Sequence, residues 1–254
     1  MMRRLLLCLP ALAACARVAP LPEHLRAPSP NELRERMAAV RVSGEAYTAE
    51  LRLTSFGPEG RVRGTASLAV QRPASFRYEL FGPHGGVIQA FATNGHELQL
   101  LDLGASKFFY GPATPHNISR LLTLVPLDLT ALDWVHVLFG EVAVPSDARL
   151  SYDEEAKGFA WEWEKSPQRG RVDVDPYSAR ATRAVLWDHE TKLWEIRVAA
   201  RDSRGLPSEL MLEAPAAKTR VEVHLRDVDH APKLDASLFV LDPPAAVSVE
   251  RLAD

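Results

Sequence analysis

Histidine-glutamate pairs are the residues in this sequence that come nearest to a zinc-binding motif. His96-Glu97 and His189-Glu190 each begin like a helical zinc site, but Leu100 and Leu193 occupy the positions of the second histidine. The sequence also lacks the Gly-x-Ser-x-Gly turn that presents a hydrolase nucleophile. These patterns argue against a zinc peptidase and against a hydrolase of that type.

Two other polar pairs are spaced so that one face of a strand could present both members. His224 and His230 could bind a metal, although solvated histidines are the simpler interpretation. Asp173 and Asp175 could act as paired carboxylates, but the sequence suggests no pocket around them. An ion pair of these aspartates with Arg171 or Arg180 explains them better. We therefore expect a protein that is not an enzyme and has neither catalytic residues, metal nor cofactor.

Cys15 is the residue with the clearest predicted chemistry. Arg3 and Arg4 precede a short apolar run that is far too short to span a bilayer, as in a secretory signal. Residues 12–15, Leu-Ala-Ala-Cys, then resemble a bacterial lipobox, in which the cysteine becomes the acylated N-terminus. An ordinary signal peptide with an incidental cysteine is the alternative. We predict a signal peptide at 1–14 and a lipid anchor on Cys15.

The mature chain is then an ordinary globular sequence without thiols. Cys8 leaves with the signal and Cys15 carries lipid, so no cysteine remains for a disulfide. The net charge of −3 includes no polybasic run, which argues against nucleic acid as a partner. The proline-containing segment 15–28 is predicted to be a tether, and residues 29–254 to form the folded domain, expected to be a monomer.

Alternation of apolar and polar residues predicts a mainly β domain. A capping pattern at Ser29 to Glu32 first predicts one helix that carries Leu33, Met37 and Val40 on one face. From Val42 the period changes to two and continues, with turns between, to about residue 110 and again after Pro145. About ten half-buried antiparallel strands are expected, in a single sheet long enough that it must curl.

Two short helices are predicted between the two groups of strands. Ile118, Leu121, Leu122 and Val125 have helical spacing, with Asn117 as a candidate cap. A second helix at about 130–139 is apolar nearly all round, which is typical of a buried helix. We expect these helices to form a lid over the apolar face of the sheet, with lid residues Leu121, Leu122, Leu132 and Val135.

The aromatic face of the sheet could be a filled core or the wall of a cavity. A single aromatic residue is usually core, but a curled sheet under a helical lid can enclose more volume than its side chains fill. We therefore predict an apolar ligand cavity. Its expected lining residues are Phe76, Tyr78, Leu80, Phe91, Trp161, Trp163, Trp194 and Ile196.

The order of these elements resembles a known family. The segments are Phe76 to Leu80, the turn Gly82-Pro83-His84-Gly85, Val87 to Ala92, Asn94-Gly95, the helix with Leu121 and Leu122, Pro126 to Leu129, a Trp-bearing helix ending at Phe139-Gly140, and Phe239 to Pro244. In this order they are similar to the outer-membrane lipoprotein receptor of the lipoprotein localisation pathway and its soluble periplasmic carrier, the LolB and LolA proteins.

That resemblance implies an open half β-barrel with a helical lid over an apolar cavity. It further implies that the cavity takes acyl chains of a lipoprotein or lipid, supplied by a periplasmic carrier protein, for delivery to the outer membrane. The turn at Gly82, Pro83, His84 and Gly85 would face the membrane, and His84 stands where the receptor has a leucine. The lipid anchor favours a stationary receptor on the periplasmic face of the outer membrane.

A structural envelope lipoprotein is the second hypothesis for this chain. Such a protein would act through protein contacts and would have a filled aromatic core. An esterase or glycosidase is the third hypothesis, and it lacks any nucleophile or paired-carboxylate motif. Binding of lipid to the core distinguishes the first hypothesis from the second.

Overall fold

The computed structural model describes residues 26–58, 60–155, 157–231 and 233–253. The predicted signal peptide, Cys15 and most of the predicted tether lie outside these residues. Fourteen strands, β1 to β14, and three α-helices, α1 to α3, form within the described part of the chain.

The strands form two groups along the chain, one before α2 and one after α3, as the sequence predicts. The first group comprises β1 (Ala46–Gly57), β2 (Gly60–Gln71), β3 (Ser75–Phe81), β4 (Val87–Thr93), β5 (Glu97–Asp102) and β6 (Lys107–Pro112). The second group comprises β7 (Arg149–Asp153), β8 (Gly158–Lys165), β9 (Gln168–Val174), β10 (Ala181–Asp188), β11 (Thr191–Arg201), β12 (Pro207–Ala214), β13 (Thr219–Ala231) and β14 (Ser248–Arg251). The helices are α1 (Pro30–Ala39), α2 (Pro115–Leu121) and α3 (Ala131–Leu138).

All fourteen strands belong to one open sheet in the order β14-β6-β5-β4-β3-β2-β1-β13-β12-β11-β10-β9-β8-β7. The predicted single curled sheet with free edges is therefore confirmed, but the predicted total of about ten strands is too low. The strand that the pattern did not predict is β7, which is only five residues long and lies at one edge. The sheet is also not wholly antiparallel, because β14 runs parallel to β6.

The centre of the sheet joins the two groups of strands. β1 pairs with β2 on one side and with β13 on the other, and Tyr47 lies opposite His230 in the second pairing. Two halves, built from strands that are neighbours in sequence except where β14 joins β6, therefore become continuous through the pairing of β1 with β13.

Helix capping follows local sequence signals. Ser29 and Glu32 form the predicted capping box at the start of α1. The predicted cap of the second helix is wrong, because the side chain of Thr114 accepts the hydrogen bond from the backbone of Asn117. Asn117 instead lies inside α2, since Pro115 at the start of the helix allows it to begin earlier. Thr130 caps α3 through a box with Asp133.

Three hydrophobic clusters lie along this one sheet within the described residues, and the two larger ones, called here the first and second cores, are covered by helices. The first core packs α2 and α3 against the middle of the sheet, from β6 to β11 in sheet order. The second core packs α1, through Leu33, against β7 to β10. Trp194 on β11 contacts both cores. The molecule therefore has two covered apolar surfaces, each under a different helical cover.

Candidate functional site

An apolar cavity of about 90 Å³ lies between the sheet and the segment that carries α2 and α3. We call residues 115–139 the lid. The sheet contributes Leu51, Leu53, Ala66, Leu68, Phe76, Tyr78, Leu210, Leu212 and Val223 to the cavity wall, and the lid contributes Leu122, Leu124, Val125, Trp134, Val137 and Leu138. Apart from the hydroxyl of Tyr78 and the indole NH of Trp134, these side chains offer only carbon atoms, so the cavity suits an apolar ligand.

Buried hydrogen bonds fix both ends of the lid. Asn117 in α2 donates from its side-chain nitrogen to the carbonyl oxygens of Pro112 at 3.0 Å and Ala253 at 2.9 Å. The hydroxyl of Tyr47 donates to the carbonyl oxygen of Leu138 at 2.8 Å, at the end of α3. Both ends of the lid are therefore attached to the sheet by directional contacts.

The middle of the lid is held differently. Between residues 122 and 129 the backbone hydrogen bonds are local, such as that from Val125 to Leu122 at 2.8 Å. Within the described residues, no side chain of this segment makes a hydrogen bond or ion pair. Apolar contacts of Leu122, Leu127 and Leu129 hold it against the sheet. Such contacts are non-directional, so this segment can move without breaking polar bonds.

Aromatic rings line up along β3 and β4 at one side of the cavity. The rings of Phe76 and Phe91 stack with centroids 5.2 Å apart, and those of Tyr78 and Phe91 at 5.8 Å. The hydroxyl of Tyr78 donates to Gln89 Oε1 at 2.8 Å, and burial raises the pKa of this phenol. Tyr78 is therefore a neutral wall residue whose polar group is already satisfied.

The structure brings only part of the predicted site to the cavity. Phe76, Tyr78 and Leu122 lie in its wall. Leu80, Phe91, Ile196, Leu121 and Val135 belong to or pack against the same core without lining the cavity, and the side chain of Leu132 is 43% exposed. Trp161 and Trp163 lie in the second core, while Trp194 contacts both cores.

The two displaced tryptophans have specific partners in the second core. Trp161 is buried, and the guanidinium of Arg34 in α1 lies 4.3 Å from its ring centroid. Trp163 covers Gly170 on the neighbouring strand so closely that a Cβ there would fall 2.0 Å from its ring. Both tryptophans therefore pack on the part of the sheet that α1 covers, and neither lines the cavity beneath the lid.

Sequence reasoning missed the wall residues on β1, β12 and β13. Leu51, Leu212 and Val223 each follow a strong alternating pattern, which was the available signal. The pattern shows that such residues face a core, but it does not show which core. That assignment required the pairing of β1 with β13 and of β12 with β13.

The predicted membrane-facing turn is an exposed connection between β3 and β4. The backbone NH of Gly82 donates to the carbonyl oxygen of Gly86 at 2.8 Å, and that of Gly85 to Gly82 at 3.0 Å. Gly85 has a φ of +80°, a conformation that favours glycine. Pro83 and His84 lie at the tip and are exposed.

The other polar pairs singled out from the sequence have structural partners. Asp173 is buried and accepts hydrogen bonds from Arg171 at 2.6 Å and Arg183 at 3.3 Å. Asp175 accepts backbone bonds within the turn that follows β9. His224 Nδ1 lies 3.4 Å from Glu209 Oε1.

The part of the chain that the structure describes contains neither a metal-binding cluster nor a membrane-spanning helix. No group of three or more His, Cys, Asp or Glu side chains suited to a metal ion occurs there. None of the helices there is both long and apolar enough to cross a bilayer.

Comparison with known proteins yields structural matches alone. Neither a protein-family model nor a curated protein sequence matches this chain. A LolA superfamily protein from Nitrosomonas europaea is similar in structure, with a TM-score of 0.57 and 12% identity, over 85% of this chain and 99% of that one.

Two further solved structures share the fold. A DUF1329 family protein from Desulfovibrio piger matches with a TM-score of 0.56 and 9% identity, over 82% of this chain and 94% of that one. A putative outer membrane lipoprotein-sorting protein domain from Vibrio parahaemolyticus matches with a TM-score of 0.53 and 10% identity, over the same shares of 82% and 94%. The open sheet and its helical lid therefore have a LolA/LolB-like fold.

Proposed function

We propose that this protein binds the acyl chains of lipoproteins or lipids between its sheet and its lid, and takes part in their delivery to the outer membrane. The observation that carries the proposal is the almost wholly apolar cavity beneath a lid segment held by apolar contacts alone. The description of one structurally similar protein as a lipoprotein-sorting domain supports the same class of cargo. The role is binding and transfer, without a chemical reaction.

The cavity must enlarge before it can hold an acyl chain. Its volume of about 90 Å³ is well below the roughly 300–1,000 Å³ of ordinary ligand pockets. Because the ends of the lid are hydrogen-bonded to the sheet, opening is expected at the middle, near Leu122 to Leu129. An entering chain would then replace the contacts that Leu122, Leu124 and Val125 make with the sheet.

Transfer needs only a modest preference for the chain. Burial of an acyl chain of about 14 carbons gains up to roughly 11 kcal/mol against water, at about 0.8 kcal/mol per methylene. Most of this gain disappears when the chain comes from a bilayer, which is also apolar. A cavity that opens by loss of non-directional contacts can therefore accept and release its cargo.

Location is part of the same proposal. Acylation of Cys15 would hold the domain at the periplasmic face of the outer membrane, and the tether would set its reach. A fixed acceptor that receives cargo from a periplasmic carrier protein fits such an anchor better than a shuttle does. The exposed turn at Gly82 to Gly85 would face the bilayer during delivery.

The test is to extract the non-covalent lipid from purified full-length protein and identify it by mass spectrometry. We expect the wild-type protein to carry acyl lipid. Leu124→Gln and Leu122→Gln should each reduce the bound lipid at least tenfold, since they place an amide in the cavity wall. Leu124 is partly exposed, so its variant should keep a nearly unchanged urea midpoint.

Trp163→Gln is the matched control, because it places the same polar group in the second core. It should lower the free energy of unfolding by about 1–3 kcal/mol and leave the lipid content unchanged. Absence of lipid from the wild-type protein, or lipid unaffected by Leu124→Gln, would contradict the proposal. The small volume of the cavity would then favour a structural envelope lipoprotein that acts through protein contacts.

A further inference from the structure

A second concave site lies just after the C-terminal end of α3 and shares no lining residue with the acyl cavity. It has a volume of about 300 Å³ and lies between the end of α1, the segment after α3 and the residues that precede β10. We call it the arginine pocket. Arg34, Arg41, Arg180 and Glu141 supply its charged groups, and Met37 and Val142 are part of its apolar wall.

The one carboxylate of the arginine pocket is already engaged. Arg72 donates to both oxygens of Glu141, at 3.0 and 2.6 Å, and its guanidinium lies 3.9 Å from the ring centroid of Phe139. This bidentate, partly buried pair uses the oxygens of Glu141 fully. Arg41, whose side chain is 63% exposed, comes only to 4.0 Å from the same carboxylate.

Arg180 has no such partner. Among the described residues, none accepts a hydrogen bond from its guanidinium, which lies against Gly205. Arg201 is close by and donates to the carbonyl oxygens of Gly140 at 2.9 Å and Ala181 at 2.6 Å, which belong to residues of the pocket. Burial, and next the charge of Arg180, lower the pKa of Arg201 to about 10.

The pocket therefore has an excess of positive charge. Arg34, Arg41, Arg72, Arg180 and Arg201 all lie in or beside it, whereas Glu141 is the acidic residue in its wall. Asp202 also affects the pKa of Arg201, but its carboxylate accepts hydrogen bonds from backbone NH groups of its own turn. A cluster of this kind is stabilised when an anion neutralises it.

We propose that the arginine pocket binds a phosphate group, with Arg180 and Arg41 as its principal ligands. Guanidinium groups present paired donors that match phosphate oxygens, and they remain charged at all physiological pH values. The phosphate can belong to a phospholipid headgroup or be free in solution. The apolar wall at Met37 and Val142 would contact the glycerol and first methylenes of a phospholipid.

The experiment measures binding of two probes to the full chain, inorganic phosphate and a short-chain phosphatidic acid, by isothermal titration calorimetry. Every protein carries Cys15→Ser, so that its own lipid plays no part. Saturable binding is expected, and Arg180→Gln should weaken it at least tenfold, with a smaller loss for Arg180→Lys, which keeps the charge. Phosphatidic acid bound tenfold more tightly than phosphate would identify the headgroup as the ligand; equal affinities would identify the free anion.

Two controls separate this site from charge effects and from the acyl cavity. Arg63→Gln removes one charge from an exposed position on β2 and should leave both affinities unchanged. Leu124→Gln should also leave phosphate binding unchanged, since it alters only the acyl cavity. Lack of saturable binding to the folded wild-type protein, or equal binding by wild type and Arg180→Gln, would overturn the proposal.

Discussion

Glu195 shows how a single buried carboxylate organises the outer face of β10 and β11. The residue is 1% exposed, yet Arg183 donates to it at 2.8 Å, Lys192 at 2.8 Å and Arg197 at 2.5 Å. Burial acts to raise the pKa of this carboxyl, but the hydrogen bonds from the three cations outweigh it and lower the pKa to about 2. The charged form of Glu195 therefore stabilises the fold.

We expect acid to weaken the fold through Glu195. A folded pKa of about 2, below the ordinary value of 4.5, gives stability that is complete above about pH 4.5 and is lost as pH falls towards 2. Glu195→Gln should lower the free energy of unfolding by about 1–3 kcal/mol at pH 7, and by less at pH 2. Urea melts at several pH values measure this difference.

Glu190→Gln provides the control for that titration. Glu190 is 93% exposed and contacts Arg169 at 3.4 Å, so its removal should change stability little at any pH. An unchanged gap between wild type and Glu195→Gln from pH 7 to pH 2 would show that the carboxylate charge of Glu195 contributes nothing.

Single-residue contacts were only partly predictable from sequence. The ion pair between Arg171 and Glu162, at 2.9 Å, is consistent with the alternation on two adjacent strands, which places both side chains on one face. The cluster around Glu195 depends on the register of β10 against β11, which places Val185 opposite Glu195 and shifts near Trp187. A register shift of this kind leaves no mark on the hydrophobic pattern.

α1 and the lid each cover a different part of the sheet. α1 is a cover for the second core, where Leu33 is fully buried and Arg34 donates to the carbonyl oxygens of Val144 and Pro145 at 3.1 and 2.6 Å. The lid covers the first core, and its middle lacks comparable polar attachments. α1 is therefore held by both polar and apolar contacts, whereas the middle of the lid is held against the sheet by apolar contacts alone.

Shortening Leu33 should test the packing of α1 against the sheet. Leu33→Ala removes a side chain that is 0% exposed and should lower the free energy of unfolding by about 2–5 kcal/mol. The same substitution at Leu132 in α3, whose side chain is 43% exposed, should cost much less. Urea melts of both variants make the comparison, and equal losses would mean that α1 is not packed as described.

Element types were predictable because period and capping are local signals. The strands β1 to β3, the capping box of α1 and the position of α3 all follow from nearby residues. β7 was missed because an edge strand of five residues carries too short a pattern. The cap of α2 was misplaced because Asn117 and Thr114 are both good caps, and the signal of Pro115 at the first helical position, which favours Thr114, was not used.

At the scale of the whole molecule, one continuous sheet supports two separate packing surfaces. The first and second cores share β11 through Trp194, while the arginine pocket lies beside the end of α3. The sequence pattern predicted the fold class, but it assigned Trp161, Trp163 and Trp194 to the same cavity wall as the aromatic residues of β3 and β4. Alternation of apolar and polar residues is the same in the strands of both cores, so the pattern does not show to which core a residue belongs.

Attachment of this molecule to a membrane is expected to depend on Cys15, which lies outside the described residues. Cys15→Ala should abolish incorporation of a fatty-acid analogue in metabolic labelling, because the thiol that receives the lipid is absent. Cys8→Ala should leave labelling unchanged and is the matched control. Label retained by Cys15→Ala would mean that this residue is not the anchor.

The pairing of β1 with β13 has a consequence for the order of assembly. Each half of the sheet consists mainly of strands that are neighbours in sequence, and these can pair through local contacts. The pairing of β1 with β13 instead brings Tyr47 opposite His230. Contacts between such distant segments close slowly, because the intervening chain must first be ordered. Until β13 has been synthesised and has paired, β1 offers a free edge beside uncovered apolar wall residues such as Leu51 and Leu53. A chain that ends before residue 219 is therefore expected to leave the edge of β1 unpaired and to aggregate through it, even if the lid is in place.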